Sequence, residues 1–251
     1  MINDQEQRPA KADQPSVSFW GFSSLLMLAL VVCYAVQYYV VVYKDKPYDQ
    51  YLNLSDYGVK SFYVWQLLSY QFMHLNWGHL LINLAGLWLF GRALEFSLGY
   101  KNFLVCYFGA GFAGGILQGV VALVSLLLPE SLKDIAAFLS DQFAGPVAGS
   151  SVGLCGILAA LCLLEPGAGL RLFCCPKHFC RFPVKGRYLC WILLIIAAAF
   201  LVARSHPNLA HAGHFGGLLA GMAYIKLGIH QRFARANSNQ AAGKSAVGEK
   251  H

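Results

Sequence analysis

Residues 147–164 read VAGSSVGLCGILAALCLL, an uncharged apolar run with two serines near its head and Pro166 just beyond its end. Spanning a hydrocarbon core about 30 Å thick takes about 20 apolar residues of helix, because each residue rises about 1.5 Å. The run is close to that length, so its neighbours decide whether it is a core helix or a membrane span. Five further apolar runs accompany it, at residues 19–43, 77–94, 102–128, 188–203 and 207–229. Pro47, Pro129 and Pro166 stand just past three of the six, and Pro207 suits a first helical turn. The first run is too long for the apolar core of a signal peptide and lacks a small-residue cleavage site. Composition agrees: 57% of the 251 residues are hydrophobic and 12% charged, about half the charged share of a soluble domain. The expected fold is all-α, a polytopic bundle of six transmembrane helices over residues 19–229. Polar tails are expected at 1–18, disordered, and at 230–251.

The net charge of +7 does not indicate nucleic acid. The basic residues fall between apolar runs, and no basic segment interleaves with aromatics as a nucleic-acid groove requires. Placed with the N-terminus inside, the inner segments hold fourteen Lys and Arg against five in the outer loops. The positive-inside rule then puts both termini in the cytoplasm of what is expected to be a bacterial inner membrane. Residues 44–78 read as a long mixed loop whose aromatic part dips into the membrane interface, where Trp and Tyr settle. Of eight cysteines, Cys33, Cys106, Cys155, Cys162 and Cys190 lie in apolar runs, as small hydrophobes do. Cys174, Cys175 and Cys180 share the basic loop 171–187 with His178. Their spacing is poor for tetrahedral zinc. Reduced thiols are expected there, with palmitoylation as a further reading. No metal and no cofactor are expected.

Polar groups inside a span are costly and therefore candidates for function. His79 and Asn83 sit four residues apart, on one face of the second span. Ser150 and Ser151 open the fourth, and His211 and His214 open the sixth. In the orientation above all three spans enter from the outer side. Ser151 is five residues past Pro146 and His214 seven past Pro207, which sets both roughly 10 Å below the outer surface if the helices begin at those prolines. A serine becomes a nucleophile beside a base, most often histidine. Asn and His side chains can donate to an oxyanion or position water. Ser151 with His214, and His79 with Asn83, fill those roles. Gly213, Gly217 and Gly221 repeat every four residues on the sixth span, and Gly149, Gly153 and Gly156 line the fourth. Such stripes let two helix backbones approach closely, so the fourth and sixth spans are the expected pair.

Three motifs carry a resemblance to the rhomboid family of intramembrane serine proteases. His74-Leu-Asn-Trp-Gly-His79-Leu-Leu-Ile-Asn83 resembles the family's His…His-x-x-x-Asn segment. Gly149-Ser-Ser151 resembles its Gly-x-Ser nucleophile motif. His214-x-x-Gly217-x-x-x-Gly221 resembles its catalytic-histidine motif. Gly91-Arg92-Ala-Leu-Glu95 with Gly99 is similar to its turn after the second helix. Gly-x-Ser alone is weak, but three motifs in order on alternate spans form a specific signal from about Trp20 to Ile229. The resemblance implies a rhomboid-like six-helix bundle and a Ser151–His214 dyad without a third acid. It also implies single-span membrane-protein substrates, cut near the outer face within the lipid bilayer. The sequence departs from the pattern at Val152, where family members often carry Gly beside the oxyanion donors.

Other readings accompany these. His74 is expected to support its loop by hydrogen bonds, and His211 to lie on a different face from His214. Arg92 and Glu95, three apart, read as a local ion pair or loop anchor, and Asp141 as a solvated loop charge. An inactive rhomboid-like protein that binds membrane clients is the alternative function, drawn from Val152. A histidine-based metal or solute transporter is a third, disfavoured because the spans carry no carboxylate and show no internal repeat.

Overall fold

The computed structural model describes residues 21–44, 49–135, 146–167, 169–175, 178–202 and 210–231, and at some of these, 171–180 among them, the backbone alone. The N-terminal tail, Asp141, Pro207 and the tail beyond Gln231 lie outside the described residues. Six long helices organise the rest: α1 Phe22–Lys44, α2 Trp77–Leu98, α3 Tyr100–Leu127, α4 Ser151–Leu164, α5 Gly186–Val202 and α6 His211–Lys226. Within α1, α2 and α3, the stretches Phe22–Val41, Trp77–Leu98 and Tyr100–Ser125 are long and apolar enough to cross a membrane, while α4 and α5 are shorter apolar helices. Leu28, Val32 and Val36 on α1 are more than half exposed. Hydrocarbon rather than water is the solvent such a face fits.

Each boundary has a local cause. Asn76 caps α2 by accepting from the backbone N–H of His79 at 2.9 Å. Gly99, with φ +81°, ends α2 and starts α3. This carries α2 four residues past the expected Leu94 and puts Glu95 inside the helix rather than beyond it. A π turn at Leu87–Gly91 lies within α2. Pro129 follows the end of α3 as expected.

Three expectations need correction. The fourth helix starts at Ser151, not Val147. Val147 instead forms an antiparallel bridge with Leu54 (N···O 2.8 and 3.0 Å), which holds residues 146–149 out of helical geometry. Ser151 is therefore the first residue of its helix, not a residue one turn deep. The sixth described helix opens at His211. The all-α reading also misses a hairpin: the basic loop forms two antiparallel strands, β1 Gly169–Cys175 and β2 His178–Lys185, with register shifts between Gly169 and Arg171 and between Phe173 and Cys175. Alternation of Leu170, Leu172 and Cys174 with Gly169, Arg171 and Phe173 is too irregular to announce a strand.

The segment between α1 and α2 is a chain of short helical turns, Asp49–Leu52, Asp56–Lys60, Gln66–Ser69 and Tyr70–Phe72. Buried Gln66 ties them together, donating to the Gln50 carbonyl at 2.7 Å and accepting from the Ser55 N–H at 3.2 Å. Phe62 and Val64 at its edge are 83% and 69% exposed, and a ring stack of Tyr51, Tyr63 and Trp65 lies beside them. In the core, α6 packs chiefly on α4 and α3. Gly217 and Gly221 of α6 lie so close to α4 that the carbonyl oxygens of Val152 and Gly156 stand where a β-carbon would be. That approach is the one the glycine stripes predict.

Candidate active site

The first residue of α4 and the first turn of α6 meet at the end of this close helix pair. Ser151 Oγ and His214 Nε2 are 2.7 Å apart, a short hydrogen bond across 63 residues of chain. Both residues are half-buried. Two backbone anchors fix the turn that delivers Ser151. The Leu54–Val147 bridge holds one end, and the Gly149 N–H donates to the Tyr70 carbonyl at 2.9 Å. Gly149 has φ +126°, a region that favours glycine. A β-carbon there would meet the His79 ring at 2.5 Å and Asn83 Nδ2 at 3.4 Å. The absence of a side chain at Gly149 is what lets His79 and Asn83 of α2 reach the turn that leads into Ser151.

Asn83 is 2% exposed, and its Nδ2 has no acceptor among the described residues. A buried amide donor beside the turn that leads into a serine is the type of group that can stabilise an oxyanion. His79 adds a second polar edge at the same place. His74 supports it: the two rings meet edge to face with centroids 5.3 Å apart. The His74 main chain is held from both sides by the Gln37 amide of α1, which donates to its carbonyl at 2.8 Å and accepts from its N–H at 3.1 Å. Burial, then the neighbouring His79 ring, lower His74 from its ordinary 6.5 to about 4, so it packs as a neutral ring. His211 stacks on Phe200 of α5, with centroids 5.9 Å apart. Ser150, at the N-cap of α4, is wholly buried.

Val152 is 1% exposed. Its branches enter the seam between α3 and α6. One methyl occupies the place a β-carbon on Gly114 would need, and the other lies 3.3 Å from where one on Gly213 would be. Gly114, absent from the sequence reading, is thus the complement of Val152. Its trace in the sequence is the small-residue stretch Gly109, Gly111, Gly114 and Gly115.

Arg92 and Glu95 reach across to α1. The Glu95 carboxylate accepts from the N–H groups of Phe22 and Ser23 at 2.7 and 3.0 Å and from Ser23 Oγ at 2.6 Å. Arg92 Nη1 donates to Ser24 Oγ at 2.6 Å. The anchor is interhelical, and Glu95 serves as a borrowed cap for α1. Among the described residues no three His, Cys, Asp or Glu are grouped to hold a metal ion.

Comparison with known proteins agrees with this architecture. The family model described as the rhomboid domain matches residues 61–231. "Rhomboid protein 1, mitochondrial" of Saccharomyces cerevisiae is 30% identical over 161 residues, 63% of this chain and 40% of that protein. "Rhomboid protease GlpG" of Salmonella paratyphi A is 27% identical over 208 residues, 79% of this chain and 60% of that one. "Rhomboid-related protein 4" of Homo sapiens is 30% identical over 166 residues, 64% and 45% of the two chains. The chain thus spans roughly half the length of these curated relatives. With a family match over most of its length and apolar helices long enough to cross a bilayer, this chain is an integral membrane protein that belongs to the rhomboid family.

Proposed function

We propose that this protein is a serine endopeptidase that cuts single-span membrane proteins within the bilayer, with Ser151 as nucleophile and His214 as its base. The observation that carries the proposal is the 2.7 Å contact between Ser151 Oγ and His214 Nε2. With the imidazole proton on Nδ1, Nε2 takes the Ser151 proton as Oγ attacks the scissile carbonyl. Asn83, His79 and the backbone N–H at Ser151 are the candidate donors to the resulting oxyanion. As the C–N bond breaks, the imidazolium returns the proton to the leaving amine. Water, deprotonated by the same imidazole, then hydrolyses the acyl ester and restores Ser151. The reading needs no cofactor. His74, Gly149, Gly217, Gly221, Arg92 and Glu95 act as supports. All six helices α1–α6 span the membrane in this proposal, with both termini in the cytoplasm of a bacterial inner membrane. The cut then falls near the outer face, where the first turns of α4 and α6 lie.

A substrate helix shields its own peptide bonds, so local unwinding precedes attack and helix-breaking or small residues are expected near the cut. The client-binding alternative drew its support from Val152, and a packing role for that side chain leaves it without that support. The test is fluorophosphonate labelling of the purified protein in detergent, beside Ser151→Ala and His214→Ala. Wild type should label, and both variants should fold without labelling. Labelling of folded Ser151→Ala would refute the assignment.

A further inference from the structure

The first turn of α6, which carries His214, lacks an N-cap side chain. Its cap position is Ala210, which has no hydrogen-bonding group to offer. An N-cap residue ordinarily accepts from the N–H two or three positions into the helix. Here the third helical residue is Gly213, immediately before His214. Its N–H donates to Gln118 Oε1 of α3 at 2.8 Å, across 95 residues of sequence. Gln118 is wholly buried. In the next bond along, the His214 N–H donates to the Ala210 carbonyl at 2.8 Å and begins the regular helical ladder. A β-carbon on Gly213 would crowd the Ala210 β-carbon and a Val152 methyl at 3.3 Å, while standing at ordinary contact distance, 3.6 Å, from Gln118 Oε1.

We infer that Gln118 is a positioning residue for His214: it replaces the missing cap of α6 and so sets the angle at which the imidazole meets Ser151. The inference rests on the proposed Ser151–His214 chemistry for its consequence, but the cap itself does not. An orphaned helix N–H inside a bilayer has little water to turn to, so the first turn loosens when its acceptor is removed. A displacement of about 1 Å at a catalytic group costs on the order of 100-fold in rate.

The experiment compares wild type with Gln118→Met, which keeps the length with only a weak thioether acceptor, and Gln118→Asn, whose amide is a methylene short. Two readouts are taken: amide hydrogen exchange over the first turn of α6, and the rate of fluorophosphonate labelling. The expected result is lost protection at residues 213–215 in the Met and Asn variants, with labelling slowed about 10- to 100-fold. Should Gln118→Met not fold, Gln118→Asn takes its place. Unchanged protection in the folded Met or Asn variant overturns the inference. If wild type itself does not label, the proposed chemistry falls, and the exchange comparison still decides the cap.

Discussion

Changing Val152 to Gly would restore the residue common after the family's nucleophile, and on sequence grounds it is a gain-of-function variant. The structure predicts a loss instead. The Val152 side chain is 1% exposed and fills the space left by Gly114 on α3 and Gly213 on α6. Within a bilayer the transfer of those three carbons from water is not the relevant term, because lipid tails are as apolar as the core. What remains is the contact energy lost to an unfilled cavity, about 1 kcal/mol for a group this small. Replacing valine by glycine at the second residue of α4 adds roughly 0.5 kcal/mol, the difference in their helix propensities. Together they come to about 1.5 kcal/mol, which for a chain of this size lowers the melting temperature by about 3–6 °C. Thermal unfolding in detergent, with fluorophosphonate labelling of the same samples, measures both consequences. Labelling should be unchanged or slower. A Val152→Gly protein that melts no lower than wild type and labels tenfold faster would show that the branched side chain constrains the oxyanion site, and would refute the packing account.

Two further perturbations separate support from chemistry. Glu95→Ala removes the acceptor for Phe22 N–H, Ser23 N–H and Ser23 Oγ; it should cost about 1–2 kcal/mol by loss of a helix cap, with Glu95→Gln intermediate, both read by thermal unfolding. His74 supplies a pH dependence: because burial lowers its folded value from 6.5 to about 4, the unfolded chain binds the proton first as the solution is acidified. Its contribution is therefore complete above pH 6.5 and lost as pH falls toward 4, by about 2 kcal/mol at pH 5. Melting curves at pH 7 and pH 5 should show that loss in wild type and a smaller one in His74→Phe.

The elements that sequence made legible are those whose signal is local. The first three apolar runs became α1, α2 and α3 because length and composition suffice to mark a span. Ser151, His214, His79 and Asn83 stood out because polar atoms in apolar runs are rare, and the structure brings all four to one place. The glycine stripes of the fourth and sixth runs identified the pair of helices in closest approach. What stayed hidden depends on partners distant in the chain. Nothing near Val147 says that it will bridge to Leu54 and so delay the start of α4. Nothing near Ala210 says that its missing cap comes from Gln118, although an amide well inside an uncharged apolar run was the available clue. Glu95 read as half of a local pair with Arg92, and the two do interact electrostatically, but its hydrogen bonds to residues more than seventy positions earlier had no local signal. The hairpin at 169–185 escaped notice because two register shifts break the alternation by which strands are recognised.

The turn that leads into Ser151 hangs from the segment before α2: Leu54 pairs with Val147, and Tyr70 receives the Gly149 N–H. Neither anchor belongs to the connection that precedes the turn in the chain. The placement of Ser151 is thereby tied to the segment at 49–72, where a single-residue deletion would shift the register of the contacts that suspend the serine.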